Sequence, residues 1–371
     1  MRTLGPNDTA GYGIIGCGVI APWHAGSLTE HVRGARLLAC CDEVPERAQE
    51  FAAKFNIPRV YTHPDELLAD AEIDAVSICT PSGMHADMVM RASAAGKHAM
   101  TEKPMDITLP KIDAMIETTR RNGTKLAVIF QRRTSPLWRK VRETVQEGKL
   151  GRMLLGDAYL KYYRSQEYYN SGAWRGTWAL DGGGALMNQG VHLVDQLQWV
   201  MGPVETLFSF ADHLAREIEV EDTTVSALKF ASGAFGTLEG TTSVIGSAEW
   251  ERDAEGRVNV TKWGGMDHRL EFHGDRGTIM VDGERILKWV VPGEPEPDLS
   301  GGDGVGSAAS DPKAIGMRGH IIQLQDFVDS IREDREPMVT GEDGRAAVEI
   351  ILAVYQSART GQPVRLPLTS A

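Results

Sequence analysis

Residues 11–26 read GYGIIGCGVIAPWHAG, and the way this stretch is read decides the fold of the first third of the chain. An apolar run ends in Gly16-Cys17-Gly18-Val19-Ile20-Ala21, a G-x-G-x-x-A pattern. The two glycines permit a tight turn and close backbone approach to a pyrophosphate. Small Ala21 lets a following helix pack closely, so that its N-terminal amides face the phosphates. Taken alone, the pattern also fits a purely structural turn. Its surroundings favour the dinucleotide reading: a strand candidate precedes it, a helical stretch comes next, and Asp42 closes the second strand candidate about 20 residues on. Gly16, Gly18, Val19, Ile20 and Asp42 are therefore expected on the cofactor. A carboxylate at Asp42 can accept from the ribose hydroxyls of NAD and repels the 2′-phosphate of NADP. Arg47 works against that repulsion, and Asp42 also suits the role of cap for the next helix. NAD is expected ahead of NADP.

Outward from this turn, short apolar runs alternate with amphipathic stretches. Strand candidates are Tyr12–Ile15, Arg36–Cys41, Ala75–Cys79, His98–Thr101 and Lys125–Phe130, with helical patterns at Val44–Phe55 and His85–Ala95, the latter closed by Gly96. Buried, β-branched strands alternating with helices imply a parallel sheet covered on both faces. After Gln131 the texture changes. A helix over Leu137–Glu147 ends at Gly148, and period-2 runs continue at Leu154–Tyr163, Thr223–Phe230, Ala234–Ser243, His268–His273 and Gly277–Val281. The stretch HGDRGTIMVDGERILKWVV carries Gly-containing turns between strands, as hairpins of an antiparallel sheet do. Gly293–Gly316 reads as a long surface loop, and helices are expected near Gly319–Glu333 and Gly341–Thr360. The fold class is α/β followed by α+β: a dinucleotide-binding domain over 1–131 and a substrate-binding and oligomerisation domain over 132–371.

The chain has 371 residues, 42% hydrophobic and 24% charged, long enough for two cores. Its net charge of -12 repels phosphate backbones and anionic lipid, which argues against nucleic acid and membrane surfaces as partners. It leaves room for an anionic small molecule held by a local arginine. The apolar run from Gly11 lacks a basic leader and is broken by Gly16, Gly18, Pro22 and His24, unlike a signal peptide. No segment reaches the ~18 apolar residues that span a bilayer. Cys17, Cys40, Cys41 and Cys79 fit neither zinc-site nor disulfide spacing, and a reduced cytoplasm is the expected location.

Three motifs resemble the Gfo/Idh/MocA oxidoreductase family in order and spacing: CTPSGMHADM (79–88), AGKHAMTEKPM (95–105) and GGGALMNQGVHLVDQLQWVMGPV (182–204). The resemblance covers nearly the whole chain. It implies an N-terminal Rossmann domain joined to a C-terminal α+β domain with a large, mostly antiparallel, open-faced sheet. It also implies assembly as a homodimer or homotetramer. Lys103 matches the active-site lysine, where an ammonium hydrogen-bonds the reacting oxygen; the bond to Pro104 is cis in relatives. Glu102 beside it is implied along the cofactor. His192 matches the histidine that exchanges a proton with a substrate hydroxyl, a task its ordinary pKa suits. Asp195, one turn on, either orients that imidazole or pairs with a basic residue elsewhere. Many relatives carry aspartate four residues before the histidine; this chain has Asn188, which holds a hydroxyl but supplies no charge. Thr80, Pro81 and His85 match positions lining the cofactor, with His85 alternatively a helix cap. Gln131 and Arg132 match positions that contact substrate or cofactor.

The stretch YYRSQEYYNSGAWRGTW (162–178) is the most aromatic in the chain. Trp174 and its neighbours suit sugar rings, and Arg164 or Arg175 can hold hydroxyls or a carboxylate; an interface role is the equal alternative. The resemblance thus implies an NAD(P)-dependent dehydrogenase acting on a secondary alcohol of a sugar, glycoside or cyclitol, with no metal. Two rivals are a glycoside-cleaving or epimerising enzyme that uses tightly bound NAD transiently, and a non-enzymatic nucleotide-sensing regulator.

Overall fold

The computed structural model describes residues 2–244, 249–252, 254–256, 258–262, 267–298 and 317–368. The chain divides into two compact units, Met1–Gln131 with Met317–Val348, and Arg132–Gly316 with Glu349–Ala371.

The first unit holds strands β1 (Ala10–Ile15), β2 (Ala35–Cys41), β3 (Arg59–Tyr61), β4 (Ala75–Ile78), β5 (His98–Thr101) and β6 (Leu126–Val128). Between them run α1 (Ala21–Glu30), α2 (Pro45–Phe55), α3 (Pro64–Ala69), α4 (His85–Ala94) and α5 (Leu109–Asn122). The sheet order is β3-β2-β1-β4-β5-β6 and every pairing is parallel. Every residue of β1, β4 and β5 is buried, as expected for strands covered on both faces. Proline in the first turn starts α1, α2, α3 and α5, where the missing N–H costs nothing. Left-handed residues at Asn56 and Gly123 end α2 and α5. The three-residue β3 lies at the sheet edge, only partly buried, and its brevity hid it from the sequence pattern.

The second unit holds α6 (Pro136–Gln146), β7 (Met153–Lys161), α7 (Gln166–Asn170), α8 (Val191–Met201), β8 (Val204–Asp212), β9 (Thr223–Phe230) and β10 (Phe235–Thr241). It continues with β11 (Glu249–Arg252), β12 (Val258–Lys262), β13 (Asp267–Gly274), β14 (Thr278–Asp282) and β15 (Arg285–Val290). Toward the C-terminus of the chain come α9 (Arg318–Arg332), which belongs to the first unit, α10 (Gly341–Thr360), which the division crosses, and β16 (Val364–Arg365). An eight-stranded sheet runs β15-β14-β13-β7-β10-β9-β8-β16, with β7 and β10 parallel and all other pairs antiparallel. β11 and β12 form a separate hairpin. Leu160, Leu228, Leu238, Phe272 and Ile279 are buried on one face of the large sheet. Phe210, Val225 and Phe235, at alternate positions, are exposed. Residues 299–316 of the expected long loop lie outside the described residues.

The domain boundary departs from the expected one. A cut after residue 131 does separate the first unit's sheet from the second unit's, but 132–371 is not one body. Leu324, Phe327, Val328 and Ile331 of α9 are buried in the core built on Tyr12, Ile14 and Ala25. Gln323 Nε2 donates to Val128 O, and the Val128 N–H donates to Val339 O. The apolar face of α9 thus completes the first unit, and the division falls within α10.

Candidate active site

The glycine turn joins the end of β1 to α1, at the point where the sheet order reverses between β1 and β4. Open α/β sheets bind ligands there. Gly16 has φ +92°, and a Cβ on it would stand 2.7 Å from the Cys79 carbonyl group, so only glycine fits. A Cβ on Gly18 would meet nothing within 4 Å, so this glycine leaves open space beside the turn. Val19 is exposed and Ile20 half-buried. No side chain caps the start of α1, which leaves first-turn N–H groups to face an anion.

Asp42 is buried and does two jobs. Its Oδ2 accepts the Cys17 N–H at 2.9 Å, and its Oδ1 accepts the Val44 N–H at 3.0 Å, bracing the glycine turn and the start of α2. Arg47 pairs with it at 3.2 Å while remaining half-exposed. A carboxylate offers about four lone-pair sites, so acceptance from a ribose remains compatible with these bonds. The turn, the uncapped helix and this carboxylate together fit an NAD adenosine and pyrophosphate.

Thr80 and Pro81 come directly after β4. Thr80 Oγ1 is buried without a hydrogen-bond partner among the described residues. His85 is buried with Nδ1 2.8 Å from Pro104 O and Nε2 2.8 Å from Thr80 O, so both ring nitrogens stand on main-chain oxygens. Lys103 is half-buried at the end of β5, and the Lys103–Pro104 bond is cis. Glu102 precedes Lys103 at the same strand end. It is buried, with Oε1 3.0 Å from His24 Nε2 and Oε2 accepting the Lys103 N–H at 3.1 Å. His320 of α9 joins them, and His24, Glu102 and His320 bring donor atoms within 4.8 Å of one another. The three lie far apart in sequence, and no local pattern announces their meeting. Gln131, buried in the first unit, packs where Gly319 of α9 leaves room for it.

In the second unit the motif around His192 is not one continuous α-helix. Ala185–Gly190 forms a π-helical turn that passes into α8 at Val191. A π-turn carries more residues per turn than an α-helix. Asn188 turns to Asp181, donating from Nδ2 to Oδ1 at 2.8 Å, and accepts from Gln189 Nε2 at 3.3 Å. Asp181 is buried and also accepts the Gly176 N–H at 2.9 Å. The start of the π-turn is held by Glu221, whose carboxylate accepts the Gly184 and Leu186 N–H groups at 2.8 and 2.9 Å. Tyr355 donates its hydroxyl to Glu221 at 2.8 Å. Burial pushes the Glu221 carboxyl up to about 7 against those hydrogen bonds. A Cβ on Gly184 would stand 1.9 Å from Glu221 O, which explains the glycine. Neither Asp181 nor Glu221 was among the residues that the sequence pattern singled out.

Of the two roles open to Asp195, the structure supplies the ion pair. Arg133 reaches it with Nε and Nη2 at 2.6–3.2 Å, both side chains buried. His192 is half-buried one turn earlier on α8. Arg164 donates to Gln189 Oε1 at 3.3 Å, and Arg175 donates to Tyr168 Oη at 2.7 Å. Both guanidiniums lie over the Tyr168 ring, at 4.7 and 4.5 Å, and Arg175 also lies 4.5 Å from the Trp174 ring. The aromatic segment therefore presents arginines stacked on rings, linked through Gln189 to Asn188.

Residues 10–130 match the family model described as "Oxidoreductase family, NAD-binding Rossmann fold", and residues 138–280 match the GFO/IDH/MocA C-terminal domain. The chain is 31% identical to the WlbA dehydrogenase from Bordetella pertussis, solved in complex with NADH and UDP-GlcNAcA. That match has a TM-score of 0.83 over 97% of this chain and 100% of the other. The corresponding WlbA complex from Chromobacterium violaceum is 30% identical, with a TM-score of 0.85 over 100% and 99% of the two chains. Myo-inositol 2-dehydrogenase of Thermotoga maritima is 27% identical over 95% of this chain and 98% of the relative. The chain belongs to the Gfo/Idh/MocA family of NAD-dependent oxidoreductases.

Proposed function

We propose that this oxidoreductase is a dehydrogenase of a sugar or cyclitol secondary alcohol, and that its substrate carries a negative charge. The observation that carries the dehydrogenase reading is the glycine turn at the β1–β4 reversal, in one unit with a lysine at the end of β5. NAD, when bound, supplies the hydride acceptor. In this reading Lys103 hydrogen-bonds the reacting oxygen and stabilises developing alkoxide charge. His192 takes the hydroxyl proton in oxidation and returns it in reduction. Asn188, held by Asp181 and Gln189, orients a substrate hydroxyl.

The charge of the substrate is inferred from Arg164 and Arg175. Their guanidiniums stand on Tyr168 within a chain whose net charge is -12, so they make a local cationic spot suited to a carboxylate or phosphate. The two WlbA relatives were crystallised with UDP-GlcNAcA, whereas the Thermotoga relative is a myo-inositol dehydrogenase. A panel of UDP-GlcNAcA, free uronates, neutral hexoses and inositols, scored by NADH formation, tests both parts. Turnover of anionic sugars above neutral ones supports the reading, and turnover of inositols alone overturns the charge assignment. Product formation without net NADH would instead point to transient use of the cofactor. Assembly as a homodimer or homotetramer through the exposed face of the large sheet, and a cytoplasmic location, belong to the same proposal. No helix among the described residues is long and apolar enough to cross a membrane.

A further inference from the structure

Four side chains of the first unit stand in one hydrogen-bonded line. Tyr12 Oη of β1 is 3.1 Å from Ser77 Oγ of β4, which is 2.9 Å from His24 Nδ1 of α1. His24 Nε2 is 3.0 Å from Glu102 Oε1, and Glu102 Oε2 accepts the Lys103 N–H at 3.1 Å. His320 of α9 places Nε2 3.4 Å from the same Oε1. Tyr12, Ser77, His24, Glu102 and His320 are all buried.

The protons along this line have one consistent order. Burial pushes the Glu102 carboxyl up, but the imidazoles of His24 and His320 outweigh it and hold the group well below the usual range. A carboxylate only accepts, so His24 Nε2 carries the hydrogen. Burial pulls the His24 imidazole down more strongly than Glu102 raises it, which keeps the ring neutral. Nδ1 is then a lone pair that accepts from Ser77, and the Ser77 oxygen accepts from Tyr12. Burial pushes the Tyr12 phenol up, so it keeps its proton.

We propose that Glu102, clamped by His24 and backed by Ser77 and Tyr12, is the positioning residue that fixes the Lys103 main chain. It holds neither cofactor nor metal in this assignment. The line ties α1, whose first turn no side chain caps, to the strand end that carries Lys103. The proposal rests on Lys103 as the residue that touches the reacting oxygen. Its primary readouts need no substrate, so they stand or fall apart from the sugar reading.

The test uses the full-length protein. Nitrogen-15 NMR of labelled histidine should show His24 as the neutral Nε2–H tautomer from about pH 5.5 to 8, a range in which a free imidazole titrates. Hydrogen exchange should show the Lys103 amide protected, and ~10²-fold faster in His24→Leu, while amides of β1 keep their protection. His24→Gln, whose amide restores a donor to Oε1, should recover that protection. On the alcohol found by the panel, His24→Leu should lower kcat by roughly 10- to 100-fold, the cost of a small misplacement, with KM and the NAD Kd little changed. Four results would overturn the proposal. They are an Nδ1–H tautomer or imidazolium at His24, unchanged Lys103 exchange in folded His24→Leu, a fall in NAD affinity that matches the fall in kcat, or one equivalent of transition metal in the purified protein that His24→Leu releases.

Discussion

At single residues, the proposal assigns chemistry to Lys103 and His192 and holding roles to the groups around them. If Lys103 donates to the reacting oxygen as proposed, Lys103→Met removes that donor while leaving the glycine turn and Asp42 untouched. It should lower turnover by at least ~10²-fold with NAD affinity nearly intact, and near-normal turnover would sink the assignment. Asn188 is more informative. Asn188 Nδ2 lies 2.8 Å from an oxygen of buried Asp181. Asn188→Asp would set two carboxylates in contact, and one would be forced to keep a proton. That variant should lose activity rather than gain it. Asp181→Asn combined with Asn188→Asp exchanges the two groups and should restore much of the loss. Additive losses in the double variant would show that the pair is not coupled.

At the scale of elements, the segment bearing Asn188 and His192 is set by a carboxylate that arrives from another part of the chain. Glu221 caps the π-turn, and burial raises its carboxyl from 4.5 to about 7. A group whose pKa is raised in the folded state holds a proton there that the unfolded chain releases. Its contribution is complete below about pH 4.5, is lost as pH rises through about 7, and is constant above that. The span corresponds to about 3 kcal/mol. Urea midpoints of wild type and Glu221→Gln should therefore converge or cross between those pH values, the variant gaining relative stability as pH rises. A pH-independent difference would show that Glu221 does not titrate in that window. This cap also marks where sequence becomes illegible. The glycine turn, Asp42 and Lys103 are local patterns, with partners a few residues away or at strand ends that hydrophobic runs reveal. A six-residue π-turn cannot be told from an α-turn by periodicity, and β3 is too short to have one. Glu221, Asp181 and the meeting of His24, Glu102 and His320 depend on contacts between distant segments. The return of α9 to the first unit does too, because its apolar face says that it is buried but not against what.

At the scale of the whole molecule, assembly is the property that the single chain leaves most exposed to test. The large sheet buries one face under its own unit, with α8 packed on β7. On its other face Phe210 is 70% exposed, Phe235 59% and Val225 49%, values that on a solvated monomer would leave aromatic rings in water. These residues are not scattered. Phe210 pairs directly with Val225 across β8 and β9, and Phe235 pairs with Leu155 across β10 and β7. Phe208 packs edge-on against Phe210, with ring centroids 5.1 Å apart. Charged side chains lie among them: Lys229, paired with Glu205, is the direct cross-strand partner of Phe235, and Glu239, paired with Lys161, is that of Val225. Contiguous exposed apolar patches beyond a few hundred Å² usually mark an interaction surface, and an antiparallel sheet face suits a second copy of itself. Light scattering at micromolar concentration should accordingly give a multiple of the single-chain mass. Phe210→Asp with Phe235→Asp adds a charge to each apolar pair and should shift the mass to that of one chain. Because both residues belong to the second unit and the glycine turn to the first, NAD binding by the dissociated variant should persist. A wild-type protein that scatters as one chain would leave Phe210 and Phe235 without a partner and remove the assembly from the proposal.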